Sequence, residues 1–208
     1  MDRINAFISY SSKQKLIGGK FKSYLENFCG YGIFIAHDDI PGSMIWEEEI
    51  IQAIKNADFF IPLISKEFKE SPFTDQETGI AVCLKKKIIP IKLDEINPYG
   101  FIEKYQALQY KDDIKDTALT IAQIGFIDEP RSSYHQKVLN SIVHAFCESI
   151  SFEIANATIQ ILCKCDDLSS NQLTQIVKAI KTNSQIKNAY GLSTLKECLK
   201  KKYKVSID

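Results

Sequence analysis

The feature that most constrains this chain is the run Phe59-Phe60-Ile61-Pro62-Leu63-Ile64, flanked on both sides by helical patterns. A run this short, apolar nearly throughout, reads as a strand buried on both faces, and it is far too short to cross a bilayer. Such a strand needs covering layers above and below it, which is how parallel α/β sheets are built. Further strand-like runs occur at Ile4–Ser9, Ile33–Ala36 and Ile88–Leu93, with a weak fifth at Ala107–Tyr110. Between them, apolar residues recur at helical spacing. Leu16, Phe21, Tyr24, Leu25 and Phe28 form one face, stopped by Gly30-Tyr31-Gly32. Trp46, Ile50, Ala53, Ile54 and Ala57 form a second, behind Glu47-Glu48-Glu49 in the first turn. A third helix opens on Ser71-Pro72, with Phe73, Glu77, Ile80, Ala81 and Leu84 on one stripe, and Ile114–Ile124 is a fourth. The alternation predicts an α/β fold: a flavodoxin-like, doubly wound, five-stranded parallel sheet with right-handed crossovers, binding ligands at the carboxyl ends of its strands.

No strand pattern follows Asp128. Helices are expected near Tyr134–Ser149, Phe152–Cys163, Ser169–Lys181 and Leu192–Lys202, the third marked by a Ser169/Gln172 capping box. The expected division is an α/β domain over 1–128 and a small all-helical C-terminal region over 129–208.

Lys+Arg and Asp+Glu each number 26, so the net charge is zero. From Ser151 onward there are nine basic and five acidic residues, an asymmetry too weak to imply nucleic acid as a partner. The six cysteines include no C-x-x-C pair, and free thiols in a reducing, cytoplasmic setting are expected, with no leader and no membrane segment. His37 beside Asp38-Asp39 lacks further ligands at a plausible spacing, so no metal is expected. Neither a G-x-x-x-x-G-K loop nor a G-x-G-x-x-G after the first strand is present, which leaves no sign of a resident cofactor.

The most informative residue is Glu77, which falls on the apolar stripe of its helix between Phe73 and Ile80. A carboxylate there either reaches past the stripe's edge to water or faces a polar cavity, because burial without partners is costly. The helix follows the third strand, so its first turn lies at the carboxyl edge of the sheet, where the loops Tyr10-Ser11-Ser12 and Ala36–Ser43 also emerge. Tyr10, Phe34, Phe73 and Glu77 then line one crevice. Aromatic walls and one carboxylate suit a planar cationic ring attached to a sugar, where the carboxylate stabilises oxocarbenium character as the glycosidic bond breaks.

Several segments, in order, resemble TIR (Toll/interleukin-1 receptor) domains. Ala6-Phe7-Ile8-Ser9-Tyr10-Ser11 looks like their opening strand and turn, and Gly32–Gly42 (G-I-F-I-A-H-D-D-I-P-G) like their second strand and BB loop. Trp46-x-x-x-Ile50-x-x-Ala53-Ile54 is similar to the next helix, and Ser71-Pro72-Phe73-Thr74-Asp75-Gln76-Glu77 to the stretch carrying the catalytic glutamate of NAD+-consuming members. Ile89-Pro90-Ile91 and Asn97–Ile102 look like the bacterial branch. The resemblance implies that Glu77 is catalytic, that Tyr10, Ser11, Phe34, Asp38, Ser71 and Phe73 contact substrate, and that Asp39, Ile40, Pro41 and Gly42 mediate assembly with a neighbouring protomer. It implies NAD+ as substrate rather than cofactor, homo-oligomers on activation, and ADP-ribose or a cyclic isomer as a signal in antiphage defence, read by a separate effector. Phe73 stands where tryptophan is usual, Ser11-Ser12 where charged residues are frequent, and Ala36 where aspartate is frequent.

Two functions follow as expectations: an NAD+ nucleosidase or cyclase, and a non-catalytic scaffold acting by TIR–TIR assembly. Glu77 discriminates between them, since assembly alone has no use for a carboxylate on an apolar stripe.

Overall fold

A computed structural model of the chain describes residues 2–36, 46–127 and 133–207. The chain divides into two compact units, one formed by Ile4–Leu25 and Tyr31–Ile124, the other by Met1–Arg3, Glu26–Gly30 and Gly125–Asp208.

The α/β elements are β1 (Asn5–Ser9), α1 (Lys15–Cys29), β2 (Gly32–Phe34), α2 (Trp46–Asn56), β3 (Phe59–Ile64), α3 (Lys66–Lys69), α4 (Pro72–Cys83), β4 (Lys87–Ile88), β5 (Ile91–Lys92), β6 (Leu108–Gln109) and α5 (Ile114–Ile127). Every strand pairing is parallel, in the order β2-β1-β3-β5-β6, with β4 alongside β3. This is the doubly wound order expected of a flavodoxin-like sheet. The fourth strand of the expected five is observed as two pieces. β4 pairs with Phe59 and Phe60 at the start of β3, and β5 with Leu63 and Ile64 at its end. Pro90, which has no N–H to donate, sits between the pieces. The ladder continues across the gap through Ile89 N–H to the Phe60 carbonyl at 2.9 Å.

β3 is buried at every position, as its composition requires. Phe7 of β1 stacks between Phe34 of β2 and Phe60 of β3, with ring centroids 5.5 and 5.7 Å away. Each such ring withdrawn from water contributes roughly 2–3 kcal/mol. Ile50 and Ile54 of α2 and Ala81 of α4 close over this layer.

The other unit carries α6 (Ser133–Cys147), α7 (Phe152–Leu162), α8 (Ser170–Thr182), α9 (Ser184–Lys187) and α10 (Leu192–Tyr203). Ser169 and Gln172 form the expected capping box on α8. The one-turn helix α9 was not expected; Asn183 caps it through Gln185 N–H and also donates to the Cys147 and Ser149 carbonyls at 3.1 and 3.0 Å. Among the described residues no helix is long and apolar enough to cross a membrane.

Candidate active site

Parallel strands all end on one edge of the sheet, so the segments leaving β1 and β3 emerge together. β1 ends at Ser9, in register with Pro62 of β3. After β3, Ser65 accepts from Phe68 N–H at 3.0 Å and caps α3, while Asp94 accepts from Lys66 N–H at 2.8 Å. The link from α3 to α4 is fixed by Thr74, whose hydroxyl approaches the Phe68 carbonyl at 2.6 Å and the Ser71 carbonyl at 2.8 Å. Ser71 holds the N-cap position with Pro72 behind it, but its side chain makes no capping bond. This sets the azimuth of α4 and brings Glu77, one turn inside the helix, over the end of β1.

Glu77 is 7 % exposed and Ser9 is 1 % exposed. The Ser9 hydroxyl donates to Glu77 Oε2 at 2.5 Å. Burial pushes the Glu77 carboxyl up to about 7, and the Ser9 hydrogen bond pulls in the opposite direction with smaller effect. Glu77 therefore exchanges its proton near neutrality while facing a hollow of about 220 Å³ lined also by Ile8, Tyr10, Ser12, Ala36, Ser71 and Phe73. A second hollow of about 250 Å³ lies on the α2 side and shares Phe73 and Glu77 with the first. Either alone falls below the roughly 300–1,000 Å³ of ordinary ligand sites, and together they reach that range. Tyr10 is placed in the site by a missing side chain. A Cβ on Gly18 of α1 would stand 2.7 Å from the Tyr10 ring, so this glycine leaves the ring room against the helix.

The structure brings Tyr10, Ser71, Phe73 and Glu77 together as lining side chains. Ser11 is buried, and its exposed neighbour Ser12 takes the lining position. Phe34 is stacked on Phe7 and lines neither hollow. His37, Asp38, Asp39, Ile40, Pro41 and Gly42 lie outside the described residues, as does the side chain of Trp46. The expected stripe of α4 is corrected. Its buried face is Thr74, Glu77, Thr78 and Ala81, while Phe73 is 51 % exposed and Leu84 is 37 % exposed. The helix is turned so that small side chains meet the sheet, and Glu77 is the residue that belongs to both faces. Ser9 and Ser12 were not singled out by the sequence. The signal for Ser9 was present, as a hydroxyl ending the buried, apolar run Ala6-Phe7-Ile8 at the ligand edge of a parallel sheet. Among the described residues no group of three or more His, Cys, Asp or Glu is arranged to hold a metal ion.

Comparison with known proteins bears on this architecture. No curated protein matches the sequence. The TIR domain of the Toll-related receptor TRR-2 from Hydra magnipapillata superposes with a TM-score of 0.50 at 18% identity, covering 57% of this chain and 94% of that one, a likeness of fold. The CMP N-glycosidase BcmB of Clostridium botulinum superposes with a TM-score of 0.41 at 20% identity, covering 56% of this chain and 97% of that one. The TIR domain family matches residues 6–124, the span that carries the parallel sheet and the Glu77 hollow and more than half of the sequence, so the chain belongs to the TIR domain family.

Proposed function

We propose that this protein cleaves NAD+ at the nicotinamide–ribose bond, with Glu77 as the catalytic carboxylate. The observation that carries the reading is the Glu77 carboxylate, buried and hydrogen-bonded, opening onto a hollow walled by Tyr10 and Phe73 at the carboxyl edge of the sheet. The nicotinamide ring stacks against the aromatic walls, and the ionised Glu77 faces the ribose. As the C1′–N bond breaks, the electron pair leaves with neutral nicotinamide, so no general acid is needed. Positive charge develops on the ribose C1′ and ring oxygen, where an ionised carboxylate in a water-poor hollow stabilises it far more than the same charge in water. Water captures the cation, giving ADP-ribose and a proton; capture by a nucleophile of the same molecule gives a cyclic isomer. Ser71 and Ser12 supply hydroxyls to the substrate, and the segment 38–43 of a neighbouring protomer completes the site, so that assembly and catalysis are linked. The product serves as a cytoplasmic signal in antiphage defence, read by a separate effector.

Incubation of the purified chain with NAD+, with products identified by mass spectrometry beside the Glu77→Gln variant, tests the reading. Nicotinamide release by wild type and its loss, by 100-fold or more on the scale typical of a charge-stabilising group, by the variant is the expected result. A variant as active as wild type refutes the role of Glu77, and an inert, self-associating wild type leaves the chain a scaffold.

A further inference from the structure

Glu77 reaches the sheet edge from α4, while the group that holds it comes from the strand β1, 68 residues away in sequence. Ser9 is the last residue of β1, pinned on one side by β3, with Ser9 in register with Pro62. At 1 % exposure its side chain is withdrawn from water, and its hydroxyl donates to Glu77 Oε2. Among the described residues Ser9 is the only hydrogen-bond partner of this carboxylate. We infer that Ser9 is a positioning residue: by donating to Oε2 from a rigid strand end, it fixes the carboxylate plane and presents the second oxygen, Oε1, to the substrate. The inference rests on the proposed NAD+ chemistry and deepens it.

The physical grounds are those of preorganisation. A glutamate has three side-chain torsions, and a buried carboxylate free to rotate among them points at the reacting carbon only part of the time. A hydrogen bond from a β-strand residue removes that freedom before substrate arrives. The same bond favours the ionised form, which is the form that stabilises an oxocarbenium ion, and so opposes the effect of burial. Among the described residues no other charged group takes over this task. Of the elements packed on α4, β3 and the turn Gly100–Ile102 carry no titratable side chain, α3 carries Lys66, Glu67 and Lys69, and α2 carries Glu47, Glu48, Glu49 and Lys55. β1 carries no titratable side chain either; of the titratable groups named, Glu47 lines a hollow that Glu77 lines, as does Tyr10 just past β1, and the causes of the Glu77 shift are burial and Ser9.

The test compares wild type, Ser9→Ala and Ser9→Thr in steady-state NAD+ cleavage from pH 5 to 9, with the Glu77 side-chain carboxyl followed by NMR titration in each. The expected result is a wild-type acid limb near 7. In Ser9→Ala, kcat drops about 10- to 100-fold with KM changed less than about threefold, and both the acid limb and the carboxyl titration rise by about one pH unit. Ser9→Thr, which keeps the hydroxyl, recovers most of kcat and the wild-type limb. A merely structural role for Ser9 would lower the folded fraction without moving either titration. Unchanged kcat and an unchanged titration in Ser9→Ala overturn the inference. Absence of NAD+ cleavage by wild type, with the carboxyl still titrating higher in Ser9→Ala, overturns the functional reading and leaves only the Ser9–Glu77 contact standing.

Discussion

The burial of Glu77 makes a prediction about stability that needs no assumption about substrate. The carboxyl titrates near 7 in the folded chain against an ordinary value of 4.5. Between those pH values the folded protein holds a proton that the unfolded chain has released. Stability contributed by this group is therefore full below 4.5, declines as pH rises through the window, and is gone above about 7. At 1.36 kcal/mol per pH unit the separation amounts to about 3 kcal/mol, and since Glu77 is only 7 % exposed little of this is lost to solvent screening. Glu77→Gln removes the ionisation while keeping the side chain's shape and an oxygen that accepts from Ser9. The variant is expected to match wild type near pH 4.5 and to exceed it by about 3 kcal/mol at pH 8. The assay is guanidinium unfolding at several pH values, followed by the fluorescence of Trp46, the single tryptophan, which lies in the same unit as Glu77. All other titrating groups cancel in the difference between the two proteins. A difference that stays flat from pH 5 to 8, or a variant less stable than wild type at pH 8, would show that Glu77 is not held as described.

Three shorter predictions accompany it. The buried Thr78 hydroxyl has no hydrogen-bond partner among the described residues, so Thr78→Val is expected to stabilise by about 1 kcal/mol in the same unfolding assay, and a loss of stability would count against it. Gly18→Ala sets a Cβ against the Tyr10 ring and is expected to destabilise by about 1–3 kcal/mol and to raise KM for NAD+, despite alanine's higher helix propensity; a stabilised variant with unchanged KM would refute the packing argument. If segment 38–43 of a neighbour completes the site, specific activity should rise steeply with protein concentration or crowding, and a strictly linear dependence in an active monomer would exclude a composite site.

The sheet was legible because its signal is local. A strand apolar at every position, such as Phe59–Ile64, has no other stable home in a chain of this kind, and the helices between strands leave the parallel order as the natural choice. The division of the fourth strand was written in the sequence as well, in Pro90. The face of α4 was not. Residues 73, 77, 80 and 84 and residues 74, 77, 78 and 81 both make a helical stripe, and a count of apolar groups favours the first. The fold takes the second, because Thr74, Thr78 and Ala81 allow a closer approach to β1 and β3 than Phe73 and Leu84 would. The Ser9–Glu77 bond was beyond local pattern altogether, since only the folded topology unites a strand end with a helix 68 residues later.

The choice of face says something about what this part of the chain is for. Thr74 satisfies its hydroxyl locally, Glu77 needs Ser9, and the Thr78 hydroxyl has no partner among the described residues, so three of the four residues that α4 buries are polar. Apolar residues of similar volume at Glu77 and Thr78 would make the helix more stable, and the ionised carboxylate alone lowers stability by about 3 kcal/mol at pH 8 on the argument above. Local rules are broken in this way where a site is held against the preferences of the fold. A chain that worked by assembly alone would gain stability from Glu77→Gln and lose nothing. An enzyme would gain the same stability and lose its turnover. Measuring both in one variant therefore separates the two functions: stabilisation at pH 8 with NAD+ cleavage abolished assigns the cost of burying Glu77 to catalysis, and stabilisation with cleavage intact removes the carboxylate from the chemistry.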